Sequence, residues 1–368
     1  VGVGSDLGIG ADLDGIPRAG RFDSGCFQAA ADAGGVVRFA EVYVDARHGD
    51  DGNDGLSPGA AKATVAEGLR LTDAGGVCRI APGLYEEADN LLIVRDNMRL
   101  IGAGSDVTRI VGAPSANAVL TDAATNTLVS GLTLSGASYG LYCARSGRNR
   151  GTVEQCVIVS NTVGVYLYEG SADGRVYPHL RLSRCRVQKN ASHGVHALDT
   201  STVLLENCLV AENGGIGVNL PIDQVTQSPC RIDFCTIARN AGHGVAWMAS
   251  YPGSLAIRSS IVADNGGTGV YRQKAAVYKE QSVEHSLVYG NAPDFFNAAY
   301  MTFDAGVITN RPALLRADYR LSPLSPAVNA ALDLGVTLDL AGEGRPRQGG
   351  YDMGAHEFSQ PGSVVMIR

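Results

Sequence analysis

Between residues 153 and 291 one arrangement of apolar and polar positions recurs six times: VEQCVIVSN (153–161), LSRCRVQKN (182–190), LENCLVAEN (205–213), IDFCTIARN (232–240), IRSSIVADN (257–265) and VEHSLVYGN (283–291). The centre is Cys156, Cys185, Cys208, Cys235, Ser260 or Ser286, and five residues on every copy has Asn: Asn161, Asn190, Asn213, Asn240, Asn265, Asn291. Three residues before the centre stand Val153, Leu182, Leu205, Ile232, Ile257 and Val283; two after it stand Ile158, Val187, Val210, Ile237, Val262 and Val288. A third apolar column follows the next glycine: Val165, Val195, Val218, Val245, Val270. β-Branched residues at alternating positions predict short strands with one face inward. The alternation slips by one residue just before the centre, which predicts a bend. The Asn–Gly interval predicts a turn, with Asn in a left-handed backbone and its amide bonding the coil above.

Successive Asn residues are 29, 23, 27, 25 and 26 apart. A strand-rich repeat of about 25 residues is one coil of a solenoid, since such a unit cannot bury its apolar face alone. The chain is therefore expected to be all-β, a parallel β-helix. A weaker copy, SGLTLSGASYGLYC (130–143), places Gly140 at the same turn.

These features resemble the right-handed parallel β-helix proteins of the pectate-lyase-like superfamily, over about residues 41–325. The entry VYVDARHGDDGNDGLSPGAAKATVAEGLRL (42–71), with CRIAPGLYEE (78–87) and NMRLIGAGSDVTRIVG (97–112), is similar to the cap of secreted polysaccharide lyases, in which an edge strand and a short helix close the open end. The resemblance places that helix at Ala60 to Leu71. The ending DLAGEGRPRQGGYDMGAHEF (339–358) is similar to a closing motif of bacterial cell-surface β-helix proteins of the choice-of-anchor kind. That motif occurs twice. Asp6-Leu7-Gly8-Ile9 matches Asp333-Leu334-Gly335-Val336, and after a two-residue gap Pro17-Arg18, Phe22-Asp23 and Gly25 match Pro346-Arg347, Tyr351-Asp352 and Gly354. The expected organisation is a closing motif like the tail of a preceding module plus linker (1–38), an N-terminal cap and first coils (39–112), β-helix coils (113–327), and a closing motif with tail (328–368). With Val1 as the first residue, the duplication makes an excerpt from a tandem, head-to-tail or filamentous assembly the expected reading.

Composition narrows the class. Thirty Lys and Arg against 37 Asp and Glu give a net charge of −7, so the surface repels phosphate backbones and nucleic acid is not an expected partner. No apolar run approaches a membrane span, and there is no polybasic run to hold a membrane surface. Of the eight cysteines, four form the inward column and are expected as free stacked thiols, with Cys143 and Cys230 also inward. Cys26 and Cys78 are the candidates for a bridge near the cap. No CxxC pair suggests zinc. The extracellular or cell-surface location rests on the resemblance.

Two chemistries compete. A polysaccharide lyase needs a base and a cation that neutralises a uronate carboxylate, while a glycosidase needs two carboxylates. The variable loops are 169–179, 199–202, 222–229, 249–254 and 274–280. If the protein is an enzyme, His179, Arg181, Arg231, Asp233, Lys274 and Lys279 are the expected catalytic set, acting on an acidic polysaccharide. The competing expectation for the same outward positions is solvated cross-coil ion pairs, because Glu154, Glu206, Asp233, Arg258 and Glu284 interleave with Arg181 and Arg231.

The second chemistry is aromatic. Two residues after each turn glycine come Tyr142, Tyr166, His196, Asn219, Ala246 and Tyr271, with Trp247 beside them. Tyr142, Tyr166, His196, Tyr271 and Trp247 are the candidate glycan-binding residues, since alternate coils match a saccharide repeat of roughly 10 Å. His193 and His243 share one turn position two coils apart, too far to share a metal, and read as turn residues. The loop with Asp50, Asp51, Asn53 and Asp54 is a candidate Ca²⁺ site, although it departs from the EF-hand pattern. The expected function is a secreted or surface β-helix, adhesive or glycan-binding without catalysis; the alternative is a lyase or hydrolase.

Overall fold

The computed structural model describes residues 36–121, 124–143, 150–168, 179–198, 201–220, 230–248, 254–273 and 280–359. Their strands form three parallel sheets, here A, B and C, of 11, 9 and 9 strands. Each coil contributes one strand to each sheet in turn, as in Arg150–Glu154 (A), Val157–Val159 (B) and Val163–Leu167 (C). The solenoid is the architecture that the apolar columns predict.

The interior is three ladders. In sheet A one runs Val42, Cys78, Leu100, Val129, Val153, Leu182, Leu205, Ile232, Ile257, Val283 in unbroken register. In sheet B one runs from Tyr85 and Ile110 through Leu134, Ile158, Val187, Val210, Ile237 and Val262 to Val288. Sheet C contributes Val119, Leu141, Val165, Val195, Val218, Val245 and Val270. These side chains are buried, and from Cys78 onward they belong to one continuous core. Buried apolar area at roughly 25 cal/mol per Å² makes this core the dominant favourable term.

Cys78 is a rung of the first ladder, a free buried thiol between Val42 and Leu100. Its proposed bridge partner, Cys26, lies outside the described residues. Cys143, Cys156, Cys185, Cys208, Cys230 and Cys235 are also free and buried, as the column predicts. Burial in an apolar column pushes the Cys156 thiol up to about 12. Ser260 and Ser286 continue the column, and their hydroxyls accept the backbone N–H of Cys235 and Ser260 from the coil before.

Both bends depart from the sequence reading in one respect. The left-handed residue is never the Asn. Ser160, Lys189, Glu212, Arg239 and Asp264, each one position earlier, have φ of +55° to +58°. The Asn that follows is thereby turned inward, where it is buried. Its Nδ2 reaches back to the preceding coil, as Asn213 does to Val187 O (3.1 Å), and forward to the next Asn, Asn240 Oδ1 (2.8 Å). Asp294 ends the column by accepting from Asn291. At the A–B bend Gln155, Arg184, Asn207, Phe234 and Ser259 take the same left-handed backbone, just before the column centre.

The cap closes the first coil, with its helix starting later than the sequence reading places it. A 3-10 turn spans Pro58–Ala60, and the helix, α1, spans Val65–Leu71 with Thr64 as its N-cap. Between them Lys62 bridges to Val44, and Asp45 N–H donates to Lys62 O (2.8 Å). Residues 61–62 are thus recruited to cover the edge strand Phe39–Val44, whose backbone groups otherwise lack a partner. Gly49 packs so closely on Lys62 O that a Cβ there would sit 2.2 Å from it.

The last coil strands are Phe295–Phe296 and Thr302–Phe303. The chain then turns back along the outer face of sheet B instead of extending the stack. Ala313, Leu321, Ala327, Met353 and Phe358 pack on Ile261, Ala263 and Leu287, while Tyr319, Leu340 and Ala355 pack on Leu209, Ala211 and Ala238. The closing motif is therefore a clasp laid along the flank of the solenoid. The N-terminal copy of the motif, residues 6–27, lies outside the described residues.

Candidate functional site

The candidate catalytic groups stand on the outer face of sheet A. Arg181 and Arg231 occupy one column, separated by Leu204, and both are exposed. Glu206 and Asp233 are neighbours in the adjacent column, which continues to Arg258. Arg181 donates to Glu206 (2.8 Å), and Arg258 holds Asp233 through two bonds of 2.8 and 2.6 Å. Arg184 pairs with Glu154 at 3.2 Å. Glu154, Glu206 and Asp233 thus form cross-coil ion pairs as the interleaving predicts, worth about 0–1 kcal/mol each where exposed. Asp233, doubly held by Arg258, is an anchored acceptor and not a free carboxylate.

His179 is different. It pairs in register with Arg150 and Thr202, is partly buried, and its Nε2 has no partner. Burial, reinforced by the nearby Arg150 and Arg231 charges, holds its pKa below the ordinary histidine value, so it is neutral near pH 7. Lys274 and Lys279 lie outside the described residues. A cleft of about 290 Å³ opens on sheet A near the cap, lined by Tyr43, Asp45, Pro58, Arg79, Ile101 and Ala103; among the described candidates, His179, Arg181, Arg231 and Asp233 do not line it.

The aromatic column is real in register. Tyr142, Tyr166, His196, Asn219, Ala246, Tyr271 and Phe296 succeed one another on the outer face of sheet C. It divides into two patches. In the first, the Tyr142 and Tyr166 rings lie 5.5 Å apart and 11° from parallel, Tyr139 lies 4.6 Å from Tyr166, and Tyr168 adjoins at 6.3 Å. His196 meets Tyr166 edge-on at 5.3 Å and His193 at 4.9 Å. In the second, His243, Tyr271 and Phe296 stack at 4.8 and 5.0 Å. Asn219 and Ala246 between them are buried.

Trp247 does not belong to either patch. It sits in register with Leu220 and Arg272, and its side chain is 1% exposed inside the core. Strand alternation explains this: Val245 and Trp247 both point inward and Ala246 outward. Tyr139 and Tyr168 are the members that the sequence reading missed. The signal for Tyr168 was there, since it follows Tyr166 by two residues on the same strand face.

The turn histidines act as cross-coil acceptors. His193 Nδ1 accepts from Ile216 N–H (3.0 Å) and His243 Nδ1 from Thr268 N–H (2.8 Å), which fixes the neutral Nε2–H tautomer. Burial lowers both pKa values, and it lowers that of His196 to about 4, with His193 adding to the effect.

The candidate Ca²⁺ loop spends its oxygens on its own backbone. Asp51 accepts from Ala63 N–H, Thr64 N–H and the Thr64 hydroxyl at 2.9–3.0 Å, leading into α1. Asp50 accepts from Gly52 N–H and Asp54 from Leu56 N–H, while the Asn53 amide donates to Ala61 O. These groups cap turns and do not converge. Among the described residues no three His, Cys, Asp or Glu side chains are grouped to hold a metal ion.

Three sheets of stacked parallel strands with an inward Asn ladder define a parallel β-helix. The family described as "Right handed beta helix region" matches residues 117–281 and 179–311, more than half of the chain, and this chain belongs to it. Among solved structures it is similar to the pectate lyase Pel9A, with a TM-score of 0.56, 14% identity, and 88% of this chain and 98% of that one covered. It is also similar to the A-module of the mannuronan C-5 epimerase AlgE4 of Azotobacter vinelandii, with a TM-score of 0.51, 17% identity, and 73% and 89% covered. At these identities the likeness is one of fold. A comparison with curated proteins gives no match.

Proposed function

We propose that this β-helix is a secreted or cell-surface glycan-binding module whose binding surface is the tyrosine patch on sheet C. The observation that carries this reading is the in-register grouping of Tyr139, Tyr142, Tyr166 and Tyr168, flanked by two neutral histidines, on the outside of a rigid sheet. Phenol rings give apolar contact to the C–H faces of sugars, and their hydroxyls, with the imidazole N–H, give hydrogen bonds at the rim. The solenoid holds these rings at a fixed coil spacing, so little ordering entropy is lost on binding. Pel9A and the AlgE4 module, named for pectate and mannuronan, place polysaccharide chemistry on the same fold and support a glycan partner. Affinity electrophoresis against uronate-containing and neutral polysaccharides tests the reading. Retardation by at least one polymer is expected, weakened at least tenfold in Tyr142→Ala/Tyr166→Ala. Equal retardation of parent and variant would remove the patch from the binding surface.

A second reading, a lyase acting on an acidic polysaccharide, is favoured by one observation. His179 is a neutral imidazole with an unpartnered Nε2 beside Arg150 and Arg231, which is a base next to two cations. In that reaction His179 takes the proton at C5 next to a uronate carboxylate and the arginines neutralise the enolate, whose collapse forms the C4=C5 double bond as the C4–O bond breaks and the departing oxygen takes a proton from water. Appearance of unsaturated product by ultraviolet absorbance, lost in His179→Ala, is the outcome that would replace the first reading with this one.

A further inference from the structure

The outer face of sheet C differs from that of sheet A in what it lacks. From Tyr142 to Phe296 it is built by residues 138–143, 162–168, 192–198, 215–220, 242–248, 267–273 and 292–297. Only two charged residues occur in these segments, Arg272 and Asp294. Arg272 points inward with Val270 and is buried, and Asp294 is bonded to Asn291. Burial lowers the pKa of His193, His196 and His243, so the imidazoles of this face are neutral at pH 7. Over the same coils sheet A turns Glu154, Arg181, Glu206, Arg231, Asp233 and Arg258 outward.

The apolar groups of the C face lie along one line. The outward column from Tyr142 to Phe296 takes six coil steps, roughly 29 Å at about 4.8 Å per step. The tyrosine patch stands at one end. At the other, His243, Tyr271 and Phe296 stack within 13° of parallel, and Phe296 is 43% exposed. Between the ends Asn219 and Ala246 are buried, so neither protrudes from the column. Half-buried Ile216 carries the apolar strip across this stretch, at the turn position that His193 and His243 occupy one coil before and after. Rings stacked at the coil spacing form a ribbed strip, which suits a ligand that runs along the column with a matching repeat.

We propose that the outer face of sheet C is one continuous track for a neutral, extended, 1,4-linked polysaccharide lying parallel to the solenoid axis, with the two aromatic patches as its end subsites. This inference rests on the glycan-binding reading above and narrows it to a substrate class. A uronate chain carries carboxylates that need Arg or Lys partners, and the described residues of this face offer none. The net charge of −7 opposes such a chain further. Neutral pyranoses need only apolar contact and hydrogen bonds, which the rings and imidazole N–H groups supply. An extended 1,4-linked chain repeats every two sugars in roughly 10 Å, the height of two coils, so it stays in phase along the whole column. Once a chain is long enough to reach both patches, the second contact is intramolecular and affinity rises steeply.

Calorimetric titration with glucan, mannan and xylan oligomers, all β-1,4-linked, and with uronate oligomers of the same lengths tests this. For at least one neutral series the octamer is expected to bind at least about tenfold tighter than the tetramer, and to do so equally at about 0.05 and 0.5 M NaCl. Tyr271→Ala/Phe296→Ala, which alters only the far patch, is expected to remove the gap between octamer and tetramer. The parent's length series decides the matter by itself should that variant melt early. Octamer and tetramer binding alike would overturn the track and leave the tyrosine patch as the site, and a gap that the variant retains would overturn the far subsite. A uronate octamer that binds tighter than any neutral one, with its affinity lost in salt, would overturn the neutral ligand. Binding by no oligomer, with retardation by no polysaccharide, would end the glycan-binding reading and this one together.

Discussion

At the scale of single residues, the Asn column shows how one side chain can tie its own coil to the coils before and after it. Asn213 Oδ1 accepts from Asn190 N–H (3.1 Å) and Asn190 Nδ2 (2.9 Å), while its own Nδ2 serves Val187 O and Asn240 Oδ1. All these partners are buried, so removing the amide leaves them without water to replace it. Asn213→Ala is expected to cost about 3 kcal/mol in urea unfolding, more than any surface ion pair on sheet A. Lys189→Gly, at a left-handed residue of the same turn, is expected to cost nothing or to stabilise by up to about 1 kcal/mol, because glycine relieves the φ of +55°. The histidines give a pH dependence with a definite sign. Burial lowers His196 to about 4 in the fold, against about 6.5 in the unfolded chain, so between these values the unfolded state binds more protons. The contribution of neutral His196 to stability is complete above pH 6.5 and is lost as pH falls toward 4. Tm is expected to drop across that window, and less so in His196→Asn.

At the scale of elements, bends and clasp matter more than strand propensity. The inner-coil strands of three to five residues hold because each is paired on both sides and the bends return the chain in register. The cap and the clasp solve different problems. Residues 55–71 cover the exposed edge of sheet A, whereas residues 313–358 cover an apolar strip on the flank of sheet B. Gly354 is the tightest point of the second contact. Gly354→Ala combines a left-handed φ with a contact of 2.7 Å and is expected to lower stability by about 2–3 kcal/mol, whereas Gly342→Ala, with nothing within 4 Å, costs only the backbone strain. Thermal denaturation of the two variants side by side separates seat from strain. The helix illustrates what local reasoning omits: Ala61 and Lys62 lie between a 3-10 turn and a helix in sequence, yet the edge strand claims them first.

At the scale of the whole molecule, three flanks of one rigid prism carry three surfaces: ion-paired charge on A, clasp on B, aromatic rings on C. Since every apolar column is a period of about 25 residues read straight from the chain, the ladders, the coil number order and the free cysteine column were legible without coordinates. So were the cross-coil ion pairs and the register of Tyr142, Tyr166, His196 and Tyr271, because both follow from alternation within a strand and stacking between strands. Trp247 was misplaced by one residue of that same alternation, and a single step moves a side chain from solvent to core. What the repeat does not encode is everything decided between non-repeating partners. The side of the solenoid on which residues 313–358 lie follows from which outer columns are small and apolar, and the fate of Asp50 and Asp51 from which backbone amides lie near them. The partition of the aromatic column into two patches follows from the burial of Asn219 and Ala246. The sequence by itself determined the coil, because a repeat is a local rule applied many times. The tertiary structure decided the clasp, the cap and the usable surface, because those rest on contacts between segments that share no period.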